Sequence, residues 1–334
     1  MSATQTVRYH VQLATEMFPP SDLVRQAAAV EAAGFDGLCP SDHLQPWWEG
    51  GEGSHAWVLL GACGQATERV ALGTGVTAPV YRHNPVIVAQ AFATLEEMFP
   101  GRAYLGIGSG ESLNETPAGM DWPSIGEQVG RMEEALEIIG RLFDGERLDY
   151  DGDYFRAKRA FLHTRPERRP PIYVSAFGPR AAGVAARLGD GMWTLADPET
   201  VPGLIDAYRS ACDDAGKEPG EIVLQAGFSW AEDDDTALEA ARVWKGTQPP
   251  EYYRDDWSDP EAMYRKAEEE ISDDDFKEAY IVSSDPDHHA ERVREVERMG
   301  ATIVCLQNGS GADPVRALEV YGERVLPALQ GAGV

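Results

Sequence analysis

Asp42 and His43 stand just past an apolar run, Gly37-Leu38-Cys39, and are followed by Leu44-Gln45-Pro46-Trp47-Trp48. An acid beside an imidazole, in a loop bounded by Pro40 and Pro46, is suited to proton transfer: imidazole takes or gives a proton near neutral pH, and a neighbour can fix its orientation. The alternative for His43 is a buried histidine closing a strand end. A second run, Arg102 to Gly108, ends in Ser109-Gly110-Glu111-Ser112-Leu113-Asn114 and delivers a carboxylate, an amide and pliable backbone. Glu111 is a candidate proton donor, because an apolar pocket raises a carboxyl pKa; its plainer reading is a surface acid. Glu16, past the first strand-like run, has the same two readings. Trp47 offers a stacking face for a flat ring, or simply packing.

Two further runs end in glycine. Leu72-Gly73-Thr74-Gly75-Val76 allows either close approach of a planar ligand or a bend serving only curvature, and Ser175-Ala176-Phe177-Gly178-Pro179 leads into a helix whose N-terminus can face an anion. Metal binding fits poorly, because no His-x-x-x-His or His-Glu-x-x-His spacing occurs. His288 and His289, just after a helix start, read as a solvated face.

The elements that would position these residues alternate along the chain. Strand-like runs cover 9–14, 37–39, 70–76, 103–107, 172–175, 191–194, 222–227 and 303–307, with helical stretches between them. The pattern predicts an α/β fold, a (β/α)8 TIM-type barrel with its insertions at the C-terminal face, where strand ends carry the chemistry. Ser21 is expected to cap a helix over 22–33, and Asp285-Pro286 and Asp313-Pro314 to start two more. Residues 147–160 read as a hairpin around Asp151-Gly152, and residues 248–278, rich in Pro, aromatic and acidic residues, as a lid-like insertion over the mouth. Neither looks independent, so 1–334 is expected to be a single domain. A doubly wound sheet is the competing architecture, but Gly106-Ile107-Gly108-Ser109-Gly110 lacks the G-x-G-x-x-G spacing of a dinucleotide loop.

With these motifs in view, the chain resembles the luciferase-like flavin and deazaflavin oxidoreductases, within them the group typified by F420-dependent glucose-6-phosphate dehydrogenase. The resemblance is carried by Ser-Asp-His-Leu-Gln-Pro-Trp (41–47), Leu-Gly-Thr-Gly-Val (72–76), Tyr-Arg-His-Asn-Pro (81–85), Gly-Ile-Gly-Ser-Gly-Glu-Ser-Leu-Asn-Glu (106–115), Ser-Ala-Phe-Gly-Pro (175–179) and Val-Ser-Ser-Asp-Pro-Asp (282–287). It implies coenzyme F420 at the strand ends, a 5-deazaflavin that accepts hydride as nicotinamide does. His43 would take the hydroxyl proton or stabilise the developing charge, with Trp47 beside it. Glu111 would protonate the reduced ring or balance its charge, with Glu16 assisting near the substrate. Asp42, Gly75, Val76, Ser109, Gly110, Asn114, Ala176, Phe177 and Gly178 match cofactor-lining positions, with a non-proline cis peptide between Gly75 and Val76. A homodimer is implied as well. Sugar-phosphate members hold the phosphate with basic groups, yet here Leu195 and Pro198 stand at two of those positions and Asp197 has entered; only Arg265 or Lys266 could substitute. The expected substrate is therefore a neutral alcohol or an unphosphorylated sugar. The competing readings are an FMN-dependent monooxygenase or reductase of the same superfamily, and a binding protein that has lost catalysis.

Composition sets the outer bounds. A net charge of -27, with Asp233-Asp234-Asp235 and Asp273-Asp274-Asp275 runs, disfavours nucleic acid as a partner. No apolar run is long enough for a bilayer and no secretory leader is recognised, so the expected place is the cytoplasm and the expected partner a small molecule. The four scattered cysteines do not suggest a disulfide framework. Only five lysines occur, Lys158, Lys217, Lys245, Lys266 and Lys277, and such acid excess resembles the surfaces of halophilic proteins; an acidic protein encoded by a GC-rich genome is the alternative. High salt screens the self-repulsion of a surface this acidic. The melting temperature is therefore expected to rise from dilute buffer to concentrated potassium chloride; a scan that is flat or falls with salt would remove the halophilic reading.

Overall fold

The structure is a computed structural model of the chain and describes residues 6–331. Eight parallel strands form its centre. They are β1 (Arg8–Leu13), β2 (Gly37–Pro40), β3 (Ala71–Leu72), β4 (Leu105–Ile107), β7 (Ile172–Ser175), β8 (Gly191–Leu195), β9 (Glu221–Trp230) and β11 (Ile303–Asn308). Hydrogen bonding runs in the order β3-β2-β1-β11-β9-β8-β7-β4, and the ends of this curled sheet meet at parallel bridges between Leu72 and Ala103 and between Thr77 and Ile107. Helices between the strands complete the TIM-type arrangement expected from the sequence.

The strands alternate in what they bury. Cys39, Tyr104, Tyr173, Trp193, Val223, Ile303 and Cys305 pack together in the lumen. The neighbours Leu38, Leu105, Val174, Met192, Leu224 and Val304 face the helical layer. Each such aliphatic side chain contributes roughly 1.5–3 kcal/mol on burial. The helix Ile125–Phe143 shows the matching pattern, with Val129, Met132, Leu136 and Ile139 buried on one stripe. All four cysteines are free and buried; Cys39 and Cys305 face each other with sulfurs 3.5 Å apart and fill space as small apolar groups.

Three local expectations need correction. The first long helix is Pro20–Ala33, and Ser21 does not cap it: extended Pro19 takes that position, and Pro20 needs no partner for an N–H it lacks. Strand β3 stops at Leu72 rather than Val76: Gly73 and Gly75 still donate to the Leu38 and Pro40 carbonyls, but Pro40 has no N–H to return a bond, and the expected cis Gly75–Val76 peptide follows. His289 is fully buried, bonded through Nδ1 to Tyr321 Oη at 2.8 Å and through Nε2 to the Ser283 carbonyl at 2.9 Å, whereas His288 is exposed. Asp285 and Asp313 do cap their helices, accepting from the N–H groups of Asp287 and Arg316.

The hairpin is β5 (Leu148–Asp151) paired antiparallel with β6 (Arg156–Ala160). The later insertion carries 3-10 turns at Arg242–Thr247 and Pro250–Tyr253 and helices at Pro260–Glu270 and Asp273–Ala279. It ends in β10 (Tyr280–Ser283), which pairs with the extension of β9 beyond Ala226 and was not among the eight expected strands.

Two buried imidazoles tie this fold to pH. Burial, with Arg8 adding to it, lowers the His10 pKa to about 3, and burial lowers that of His289 to about 4 against the Ser283 hydrogen bond. The unfolded chain protonates both near the ordinary value of about 6.5, so their contribution is complete above that pH and is lost as pH falls toward the folded values. The urea midpoint should therefore drop between about pH 6.5 and 4, less steeply in His289→Gln; equal slopes in both proteins would place the acid sensitivity elsewhere.

Candidate active site

The ends of β2, β3 and β4 converge on one buried cluster of charge. Asp42 Oδ2 accepts from Thr77 Oγ1 at 2.6 Å, Asp42 Oδ1 lies 3.4 Å from Arg82 Nη2, and Arg82 also donates to the Asp42 carbonyl. Arg82 turns its Nε to Glu115 Oε1 at 3.1 Å, and its backbone N–H donates to Glu115 Oε2 at 3.0 Å. His83 stacks on Trp57 at 4.5 Å between centroids, and its Nε2 lies 3.5 Å from Asp42 Oδ2 without the alignment of a hydrogen bond. Burial alone would raise the Asp42 pKa, but His83, Arg82 and Thr77 hold it down at about 2. Burial raises the Glu115 pKa, with Arg82 opposing.

Next to this cluster, Asn114 organises the proton-transfer candidates. Its Oδ1 accepts from the Leu44 N–H at 2.8 Å and more weakly from that of Gln45 at 3.4 Å, so its Nδ2 must be the donor on the other side. Nδ2 donates to Glu111 Oε2 at 3.0 Å and faces His43 Nδ1 at 3.3 Å. His43 Nδ1 is therefore the acceptor, which puts the neutral ring's proton on Nε2. Nε2 points toward Glu16 Oε1, 3.7 Å away. Glu16 is buried, and its other oxygen accepts from Ser41 Oγ at 2.5 Å and Thr15 Oγ1 at 3.3 Å. Trp47, also buried, lies against the His43 ring at 5.2 Å between centroids.

Beside these groups opens a cleft lined by Asp42, Val76, Ala78, Arg82, Gly108, Ser109, Gly110, Glu111, Ser175, Phe177 and Tyr253. Its floor is shaped for close approach of backbone: a Cβ at Gly108 would come within 2.8 Å of Val76 Cγ2, and Gly110 holds φ at +81°. Phe177 is 58% exposed and sits 5.4 Å from the Tyr253 ring, which in turn is 5.5 Å from Trp47. These aromatic faces and the glycine floor fit a planar ring system.

Of the residues singled out in the sequence, Asp42, Val76, Ser109, Gly110, Glu111 and Phe177 line the cleft itself. His43, Trp47 and Glu16 flank it through the contacts above. Gly75 lies behind the lining, its carbonyl held by Gln12 Nε2 at 2.5 Å, and Gln12 is held in turn by Gln225. Asn114 acts from the second layer, Ala176 is buried, and Gly178 precedes the helix Pro179–Leu188. Sequence reasoning missed Arg82, His83, Thr77, Glu115 and Tyr253. Arg82 and His83 stood inside a recognised motif, but nothing local showed which acids they would meet. Tyr253 lies in a segment without periodicity.

The chain matches the family of luciferase-like monooxygenases over residues 2–302 and belongs to that luciferase-like family. It is 38% identical over 333 residues to an F420-dependent glucose-6-phosphate dehydrogenase of Microbacterium testaceum, covering 98% of each chain. A protein of the same name from Nakamurella multipartita is 37% identical over 330 residues, with 97% of each covered. Among solved structures, an F420-dependent secondary alcohol dehydrogenase in complex with an F420-acetone adduct superposes with a TM-score of 0.93 at 32% identity, over 97% of this chain and 99% of that one. The F420-dependent tetrahydromethanopterin reductase of Methanopyrus kandleri, at 21% identity and a TM-score of 0.82 over 97% and 99% of the chains, shares the fold.

The charge cluster makes a direct prediction. Arg82→Met would leave two buried carboxylates facing each other, and breaking a buried pair in this way costs roughly 3–5 kcal/mol. Chemical denaturation should show that loss, with part of it recovered by adding Asp42→Asn; no loss in the single variant would mean that the cluster does not hold the strand ends.

Proposed function

We propose that the chain is an F420-dependent dehydrogenase that removes hydride from a carbon bearing a hydroxyl group, with a neutral alcohol or unphosphorylated sugar preferred over a sugar phosphate. The observation that carries this is the ordered set Glu16, His43, Asn114 and Glu111 at the edge of a glycine-floored cleft. The floor at Gly108 and Gly110, the exposed Phe177 face and the Val76 wall suit the flat deazaflavin, and Asp42 and Ser109 offer polar contacts to it. When bound, F420 supplies a ring carbon that accepts hydride.

The protein's part is orientation and proton handling. His43 presents Nε2–H to the substrate oxygen and stabilises the charge that grows there as hydride departs. Glu16 Oε1 is the carboxylate oxygen beside Nε2 and receives the hydroxyl proton. Asn114 keeps the imidazole in this tautomer and holds Glu111 by one oxygen, leaving the other free to hold a proton at the cofactor side. Trp47 and Tyr253 exclude water from the reacting carbon.

Preference for an uncharged substrate rests on the cations. In the cleft lining the cation is Arg82, already placed between Asp42 and Glu115. Lys266 is paired with Glu251 and Glu270, and Arg265 is exposed near Glu261. Asp197 turns onto its own loop, accepting from the Glu199 N–H and Thr200 Oγ1. We further propose a cytoplasmic homodimer adapted to high salt; the acidic composition supports the last of these, and the family resemblance the dimer.

The test is the absorbance of oxidised F420 in concentrated potassium chloride with isopropanol, glucose and glucose 6-phosphate offered separately. Bleaching is expected with a neutral substrate, and Asn114→Asp should slow it at least a hundredfold by imposing the wrong histidine tautomer. Faster bleaching with the phosphate would overturn the substrate preference, and tight retention of FMN without any bleaching of F420 would overturn the cofactor.

A further inference from the structure

Three side chains in a row hold the Gly75 carbonyl from inside the barrel. Trp193 Nε1 donates to Gln225 Oε1 at 3.0 Å, Gln225 Nε2 to Gln12 Oε1 at 2.8 Å, and Gln12 Nε2 to the Gly75 carbonyl at 2.5 Å. Gln12 and Trp193 are buried, and Gln225 is half-buried. The first member fixes the direction of the run. An indole N–H only donates, so Gln225 turns its oxygen to Trp193 and its NH2 to Gln12; Gln12 then has its own NH2 left for Gly75. Trp193 lies on β8, Gln225 on β9 and Gln12 on β1, so the run spans the lumen past β11.

The peptide at the end of this run leads into a wall of the cleft. Val76, the next residue, is part of the lining. On either side of Gly75 and Val76 the chain is tied to β4: Thr74 Oγ1 and the Thr77 N–H both donate to the Gly106 carbonyl, at 3.0 and 2.9 Å. Gly75 instead gives its N–H to the Pro40 carbonyl and turns its own carbonyl inward to Gln12. Packing there is close, since a Cβ at Gly75 would stand 3.0 Å from Cys39 Sγ and 3.2 Å from Trp193 Cζ2. A buried carbonyl that loses its donor is costly to leave in place, so the peptide would shift in search of another.

We propose that Trp193, Gln225 and Gln12 are positioning residues for the cofactor: through the Gly75 carbonyl they set where the Val76 wall of the cleft stands. None of the three is in the cleft lining, so their influence on a bound ring passes through Val76. A flat ring is seated by contact with such a wall, and a displacement of a fraction of an ångström forfeits part of that contact. The inference rests on the function proposed above for the identity of the ring, F420.

The experiment reverses the run with a side chain of nearly the same shape. In Gln225→Glu the ionised carboxylate still accepts from Trp193 Nε1 but has no N–H for Gln12, so Gln12 turns its NH2 to the carboxylate and presents oxygen to the Gly75 carbonyl. Fluorescence titration of oxidised F420 should give a Kd raised roughly tenfold in Gln225→Glu and in Gln12→Met, the loss expected for one buried hydrogen bond. The double variant should be no weaker than Gln12→Met, because Gln225 acts through Gln12. A Kd unchanged by Gln225→Glu, or two effects that multiply, would overturn the proposal. If the wild type binds no F420, the cofactor reading fails on its own; hydrogen exchange in the ligand-free protein then decides the matter, as it does if Gln12→Met fails to fold. Faster exchange over residues 73–78 in Gln225→Glu, with the amides of β11 unchanged, supports the run, and equal exchange over 73–78 overturns it.

Discussion

The guanidinium of Arg82 lies between two buried carboxylates that come from different parts of the barrel rim. Asp42 follows β2, Glu115 follows β4, and Arg82 itself comes from the segment after β3. This is where the ladder is thinnest, because β3 has only Ala71 and Leu72 and meets β4 through isolated bridges. Ionic contacts in a poorly solvated place are strong and directional. They therefore do for this side of the rim what backbone pairing does elsewhere. Anchoring Glu115 also anchors the short turn Ser112–Glu115, and with it Asn114, whose side chain sets both His43 and Glu111. The proton-transfer geometry thus depends on an ion cluster that need not touch the reacting carbon.

The same dependence explains what could be read in the sequence. The eight barrel strands were legible because each is a short apolar run ending in Gly, Pro or polar residues. His43 and Glu111 were legible because they stand at such ends. Strand β10 was not, since Tyr280–Ser283 pairs with the far half of β9 and neither segment announces that partner. His289 shows the limit from the other side: it sits in a stretch that is mostly polar, Asp285 to Arg292, yet Tyr321 and the Ser283 carbonyl, distant or outside its helix, draw it inward. Arg82 and Tyr253 belong to the same class, because their roles are set by tertiary neighbours rather than by spacing.

Electrostatics narrows what the cleft can accept. Asp42, Glu16, Glu111 and Glu115 surround it or stand just behind it, against the single guanidinium of Arg82 in its lining. A dianionic substrate would enter a field of its own sign and find no unpaired lysine or arginine in that lining. A hydrogen-bond donor without charge, such as the His43 Nε2–H, carries no such repulsion.

The segment from Arg242 to Ala279 supplies much of what distinguishes this mouth. Tyr253 reaches the cleft, Asp256 bonds Ser112, and the Ser258 carbonyl takes Gln45 Nε2 at 3.2 Å. These contacts fasten the insertion to the same loops that carry His43, Glu111 and Asn114. A change in the insertion can therefore alter which molecule fits beside Trp47 while the strand ends keep the hydride geometry. The likeness to relatives named for a sugar phosphate and to one named for a secondary alcohol is consistent with that division. The proposed reaction draws on the barrel's strand ends, and the wall fastened onto them borders the space beside His43 and Trp47.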